Sequence, residues 1–362
     1  MTLSLTTAGE SHGPALVGVL TGLPAGIRLD RSAIDADLAR RREGYGRSPR
    51  QRLERDEVEV LAGLRHGITL GTPLALVIRN RDHANWEWGM SPWPPEGAPA
   101  GKGTSAVTLP RPGHADLPGS LKFGYADVRN ALERASARQT AMDVAAGSVA
   151  KALLAEIGVT VRSRVLEIGG EQTEEGWKRA TDAARSDRDT LGGVIEVVAE
   201  GAPPGLGSYA ERDTRLDARL AAAVMGIQAV KGVEIGDGFG LARVRGSMAH
   251  DEIETGLRRA SNRAGGLEAG VTSGEPVVVR AAMKPLSTLM RPLRSVDLAT
   301  GEPGEALVER SDVQAVEALA VVGEAAVAWE LARAAREKFG GDALVDFVAA
   351  HRTYLERIAW RR

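Results

Sequence analysis

Short apolar runs separated by glycine turns open the chain, a pattern of β-strands rather than helices. A first strand is predicted just before Gly9-Glu10-Ser11-His12-Gly13. A second covers Ala15 to Leu20 and ends at the turn Gly22-Leu23-Pro24-Ala25-Gly26. The spacing Ser32-x-x-Asp35 reads as a capping pair opening a helix to Arg42, with Ile34 and Leu38 on one face. Val58 to Leu61 and Pro73 to Ile78 are strand-like. Residues 84–110 carry Trp86, Trp88, Trp93 and five prolines, too many prolines for a helix and too many aromatics for a disordered linker. An ordered loop is expected there.

Further on, a long helix is predicted from about Asp127 to Glu156, and strands at Val194 to Ala199 and Pro276 to Arg280. Helical sequence returns from about Asp312 to Lys338, where Val316, Leu319, Ala320 and Val327 recur at the spacing of a buried face and Gly323 threatens a break. One internal similarity stands out. Gly22-x-Pro24-x-Gly26 followed by Leu29-Asp30 and Ile34 to Ala39 echoes Gly201-x-Pro203-Pro204-Gly205 followed by Leu216 to Ala221. Each copy reads as strand, turn, helix, which points to one pseudo-symmetric α+β body spanning residues 1–362. No dinucleotide fingerprint precedes either helix, so a Rossmann fold is disfavoured.

Composition narrows the chemistry. Aromatics are only 4%, so the core must rest on Ala, Val, Leu and Ile, while the 43 glycines suit tight turns or close approach to a ligand. A net charge of −2 argues against a generic polyanion binder. The lack of cysteine excludes disulfides, thiolate metal sites and a cysteine nucleophile. No secretory leader and no apolar run of the roughly 18–20 residues needed for a membrane span is evident, so the cytoplasm is the default.

Five constellations carry candidate chemistry. His12 and His114 sit in glycine-bearing turns from which an imidazole can enter a cleft, although a surface turn explains either alone. His66, His83, His250 and His351 read as surface residues. Arg40, Arg41, Arg42, Arg47, Arg50, Arg52 and Arg55 crowd a helix end and the Gly44-Tyr45-Gly46 turn, where guanidinium forks suit a phosphate or carboxylate. The helix dipole accounts for the triplet but not for Arg47 and Arg50. Arg134 and Arg138, four residues apart on a presumed helix, form a like-charged pair across small residues. Ser261 to Gly270 and Lys284-Pro285-Leu286-Ser287-Thr288 offer glycines and donors for a phosphate. Asp312, in Arg310-Ser311-Asp312, is either a helix cap or a site residue.

In order and sequence these segments resemble one family. Gly9-Glu10-Ser11-His12-Gly13-Pro14-Ala15-Leu16 is similar to the opening signature of chorismate synthases. Arg111-Pro112-Gly113-His114-Ala115-Asp116, Glu133 to Thr140, Ser261-Asn262-Arg263-Ala264-Gly265-Gly266 and Arg310-Ser311-Asp312 resemble the later ones. The likeness spans essentially residues 3–335. Gln139 stands where the family usually has Glu, and Gln314 and Glu317 replace its common Cys and Pro, which bears on local packing more than on proton transfer.

The resemblance implies a β-α-β sandwich of antiparallel sheets around helices, assembled as a homotetramer. It implies a trans-1,4-elimination of phosphate from 5-enolpyruvylshikimate 3-phosphate with reduced FMN, and leaves open whether NADPH reduces that FMN on this chain. By the same resemblance His12 protonates the leaving phosphate, His114 controls protonation of the flavin, and Asp312 helps it accept the C6 proton. Arg41, Arg47, Arg50, Arg111 and Arg138 would hold the substrate. Arg134, Ala135, Ser136, Gln228, Ala229, Ala269 or Gly270, Lys284, Pro285, Leu286, Ser287, Thr288 and Arg310 would hold FMN. Two rivals remain at this point: an FMN reductase or other FMN-dependent lyase, and a nucleotide- or RNA-binding module built on the arginine cluster. The near-neutral charge and the lack of interleaved aromatics count against nucleic acid.

Overall fold

The computed structural model describes residues 2–47, 56–308 and 312–358. Two four-stranded sheets face the helices. The first contains β1 (Ser4–Ala8), β2 (Ala15–Thr21), β3 (Val58–Ala62) and β4 (Leu74–Arg79), in the order β1-β2-β4-β3. The second contains β5 (Thr160–Ile168), β6 (Gly193–Glu200), β7 (Val230–Ile235) and β8 (Val277–Met283), in the order β7-β8-β6-β5. Every neighbouring pair in both is antiparallel. Leu74, Leu76 and Ile78 alternate along β4 and are fully buried, as a sheet with one covered face requires.

The helices that matter for the site are α1 (Arg31–Arg42), α2 (Asp116–Phe123), α3 (Arg129–Ala135), α4 (Thr140–Ala155), α5 (Leu216–Met225) and α6 (Val316–Phe339). Small residues set how closely the layers approach. A Cβ on Gly18 of β2 would lie 2.5 Å from Met142 of α4, and one on Gly147 of α4 would lie 2.6 Å from the Ala325 Cα of α6. Gly323 of α6 rests against Ile195 and Val197 of β6 without breaking the helix. The core is accordingly aliphatic, with Ala, Val, Leu and Ile from both sheets joined in one cluster. The expected sandwich of antiparallel sheets around helices is the fold observed. Among the described residues no helix is long and apolar enough to cross a membrane.

The internal similarity has a structural counterpart. In the first half Thr69 Oγ1 donates to Pro24 O (2.7 Å) and accepts from Ile27 N (2.9 Å). In the second half Thr272 Oγ1 donates to Pro203 O (2.6 Å) and accepts from Leu206 N (2.8 Å). Both turns follow the second strand of their sheet, and both use glycines at positive φ, Gly22 and Gly26 in one and Gly201 and Gly205 in the other.

Three local expectations need correction. Asp30, not Ser32, caps α1, its carboxylate accepting from Ser32 N at 2.8 Å. The helix expected over 127–156 is broken. Ser136 takes an extended ψ of 141°, its hydroxyl accepts from Arg138 N, and a single 3₁₀ turn, Ala137–Gln139, precedes α4. Arg134 and Arg138 therefore do not share a helical face. The helix expected from about Asp312 starts at Val316, and Gln314 Oε1 accepts from Val316 N at 2.7 Å.

Candidate active site

The break at Ser136 brings the end of α3 against the loop after β1. His12 there is buried, and its Nδ1 lies 3.0 Å from both oxygens of Glu133, while its backbone N–H donates to Glu133 Oε2 at 2.9 Å. The imidazole stacks on Trp86, centroids 4.1 Å apart, and the Arg129 guanidinium lies 5.0 Å from the same indole. The loop is further fixed by Asn80 Nδ2, which donates to Glu10 O and Gly13 O. Ser136 Oγ donates to Ser11 Oγ at 3.2 Å, and Arg134 donates to Thr7 O, Thr7 Oγ1, Gly9 O and Gln139 Oε1.

Asn80 also links this loop to the arginines, because its Oδ1 accepts from Arg138 Nε at 2.9 Å. Asp56, a fully covered carboxylate, then takes two guanidinium groups, Arg138 at 2.5 Å and Arg41 at 3.4 Å. Arg41 is itself buried at the end of α1 and donates to Thr140 Oγ1 and Ala137 O. Arg40 points elsewhere: it makes a two-pronged pair with Glu324 of α6, which also binds Lys151. The basic cluster thus divides between a structural arginine and site-facing ones.

A second histidine stands on a second buried carboxylate. His114 Nδ1 lies 2.5 Å from Asp116 Oδ1, and Arg111 Nε donates to Asp116 Oδ2 at 2.8 Å. Burial pushes the Asp116 carboxyl up, but the hydrogen bonds and charges of His114 and Arg111 outweigh it and hold it well below the ordinary carboxylate range. Arg111 Nη1 also donates to Thr288 Oγ1 at 2.9 Å. Lys284 Nζ donates to Ser287 Oγ, which donates in turn to Gly113 O. The Lys284–Thr288 run is thereby drawn onto the His114 turn. Burial and the neighbouring Lys231 charge lower the Lys284 ammonium, a place where an incoming anion relieves repulsion.

The third group is the pair Arg47 and Asp312, 2.8 Å apart. Gly46 O accepts from Val313 N, and Leu191 N donates to Val313 O. Thr190 Oγ1 donates to Leu286 O, so the Arg47 turn and the Lys284–Thr288 run share one scaffold. Gln314 and Glu317, the departures from the family pattern, latch the same turn: Gln314 Nε2 donates to Tyr45 O, and Glu317 Oε2 accepts from Tyr45 N.

Gln228 and Ala229 follow α5, and Ala229 O accepts from Lys284 N at 2.9 Å, which places them with the His114 group. Ala269 and Gly270 are not brought there by this chain. Gly270 O accepts from Leu216 N at the opposite end of α5, a helix of ten residues and hence about 15 Å. Arg50 and Arg310 lie outside the described residues. Sequence reasoning missed Asp56 and Asn80 altogether, and it named Trp86, Glu133 and Asp116 without a site role. It also placed His351 and His83 on the surface. His351 is buried against the edge of Phe339, and His83 Nδ1 meets His12 O.

Two polar atoms bear on what this site accepts. His12 Nε2 and Gln139 Nε2 are buried and have no hydrogen-bond partner among the described residues. Together with Lys284, Ser287, Thr288 and Ser136, they fit a polar, anionic ligand such as a phosphorylated cofactor or substrate.

Two histidines on buried carboxylates, with arginines against them, make a candidate site whose chemistry suits a small, multiply charged anion. A family model described as chorismate synthase matches residues 3–335. The chain is 54% identical to the chorismate synthase of Rubrobacter xylanophilus, over 99% of this chain and 98% of that protein. It is 52% identical to the chorismate synthase of Desulforudis audaxviator, over 99% of both. It also superimposes on a solved structure titled "Crystal Structure of Chorismate Synthase", with a TM-score of 0.78 and 36% identity over 99% of this chain and 98% of the other. The chain belongs to the chorismate synthase family, and it is an enzyme, a lyase of the shikimate pathway.

Proposed function

We propose that the enzyme converts 5-enolpyruvylshikimate 3-phosphate to chorismate and phosphate by trans-1,4-elimination with reduced FMN, in the cytoplasm and as a homotetramer. The observation that carries this reading is the pairing of His12 with Glu133 and of His114 with Asp116, each beside arginines held by buried acids. A substrate with two carboxylates and a phosphate needs several guanidinium forks, and Arg41, Arg47, Arg111 and Arg138, with Arg50, supply them.

In the reaction the C3–O bond breaks with phosphate leaving, the C6–H bond breaks, the single ring double bond moves and a second one forms, with no net oxidation. His12 gives a proton from Nε2 to the departing phosphate, with Nδ1 fixed by Glu133. His114, fixed by Asp116 and Arg111, controls a proton on the cofactor side, and Asp312 assists transfer of the C6 proton. Arg134, Ala135, Ser136, Gln228, Ala229, the Lys284–Thr288 run and Arg310 would hold FMN. In the tetramer a neighbouring copy would bring the Ala269-Gly270 turn to it. When bound, reduced FMN supplies electron density to the breaking allylic bond and recovers it as the proton departs. NADPH is the candidate reductant.

Anaerobic release of phosphate from the substrate tests this reading. Release is expected with reduced FMN and not with oxidised FMN or none. Phosphate release independent of flavin redox state, or none under any condition, overturns it.

A further inference from the structure

We propose that Glu133 is a positioning residue: it fixes the His12 ring with hydrogen on Nδ1, leaving Nε2 as the one ring nitrogen presented to a ligand. The proposal rests on His12 being the proton donor, and its test does not depend on turnover alone.

The argument begins with hydrogen-bond capacity. Glu133 Oε2 accepts from the His12 backbone N–H at 2.9 Å, and both carboxylate oxygens lie 3.0 Å from Nδ1. An ionised carboxylate only accepts, so Nδ1 must be the donor. The carboxylate is 2% exposed and has the Arg129 guanidinium 3.6 Å away on the next turn of α3, which supplies the countercharge.

The ring has little freedom to turn over. One face stacks on Trp86, whose Nε1 donates to Asp82 at 3.0 Å, and Lys102 lies near both Trp86 and Asp82. Behind it, His83 Nδ1 meets the His12 carbonyl at 3.0 Å. Flipping the imidazole would put a carbon against Glu133. Nε2 remains, buried and unpartnered among the described residues. A buried ring nitrogen without a partner is uncommon, and here, in the doubly protonated ring that can give up a proton, it is the N–H from which a substrate oxygen would accept.

A neutral amide cannot reproduce this contact. In Glu133→Gln the carboxamide oxygen can take the place of Oε2 and accept from the backbone N–H, but the amide NH₂ then stands where Oε1 was, donor against the Nδ1–H donor. The ring relieves the clash by moving its hydrogen to Nε2. Glu133→Asp keeps an acceptor-only group on a shorter arm.

The experiment is ¹⁵N NMR of histidine-labelled full-length protein, with the His12 signals assigned by their loss in His12→Asn. At a pH where the ring is neutral, hydrogen is expected on Nδ1 in the wild type and in Glu133→Asp, and on Nε2, wholly or in part, in Glu133→Gln. Turnover of Glu133→Gln is expected to fall about 100-fold, with substrate KM little changed. Hydrogen on Nε2 in the wild type overturns the proposal, as does a Glu133→Gln enzyme with the wild-type tautomer and wild-type turnover. If Glu133→Gln fails to fold, the wild-type and Glu133→Asp tautomers still decide. An inactive wild type with hydrogen on Nδ1 would sink the proposed function while leaving the positioning role in place.

Discussion

Arg47 Nη1 lies 2.8 Å from Asp312 Oδ2, and both side chains are only one-tenth exposed. The guanidinium proposed to hold an anionic substrate thus already carries a carboxylate partner, for which that substrate would compete. Arg47→Ala should raise substrate KM by about 10-fold or more, the usual worth of a charge-assisted hydrogen bond. Asp312→Asn releases Arg47 from this partner, so KM should hold steady or fall while kcat drops. Steady-state kinetics of the two variants separates these effects. An unchanged kcat in Asp312→Asn would reduce Asp312 to a structural counterion.

His12→Ala and His114→Ala should each lower turnover by about 10²–10⁴-fold. Flavin affinity, measured by fluorescence titration, should change little for His12→Ala. Near wild-type turnover in either variant returns that histidine to the role of a turn residue.

Asp143, in the first turn of α4, gives a pH signature. Burial pushes its carboxyl up to about 6, although the charges of Arg41 and Arg134 act in the opposite direction. An unfolded Asp titrates near about 4, so the folded state favours the protonated form. The resulting penalty is absent below about pH 4, grows between about 4 and 6, and is complete above that, reaching at most about 3 kcal/mol. Asp143→Asn should therefore be more stable than wild type in urea unfolding at pH 7.5, and the advantage should shrink toward zero at pH 4. A difference independent of pH would contradict the assignment.

Gly147 and Gly323 should respond differently to alanine. A Cβ at 147 meets the Ala325 side chain and backbone, which cannot retreat, and overpacking of this kind costs about 1–3 kcal/mol. At 323 the obstacle is the Ile195 Cδ1, 2.8 Å away at the end of a flexible side chain. The helix-propensity gain of about 1 kcal/mol should largely offset that contact. Thermal unfolding is expected to show Gly147→Ala clearly below Gly323→Ala.

Much of this architecture was legible in the residues. The strands that became β2, β4, β6 and β8 were visible as apolar runs, and the paired Gly-Pro turns were visible as an internal similarity, though the Thr69 and Thr272 clamps that hold them were not. The break at Ser136 was not legible. Ala, Arg and Glu around it are all good helix formers, and the serine hydroxyl's two partners, Arg138 N and Ser11 Oγ, show only in the structure. The histidines could be singled out because glycine turns flank them. Asp56 could not, since nothing in the sequence sets it apart from Glu54 and Glu57 beside it or shows that Arg41 and Arg138 will converge on it. His351 was misread because its polar neighbours in sequence hide Phe339, which packs on it from another helix.

The most direct test of the account counts electrons against product. With no net oxidation, one reduced FMN should support many turnovers in the absence of oxygen, and phosphate released should greatly exceed flavin oxidised. The flavin spectrum should return to its reduced form when substrate is exhausted. A one-to-one stoichiometry between phosphate and oxidised FMN would contradict the elimination and point to a flavin that is consumed.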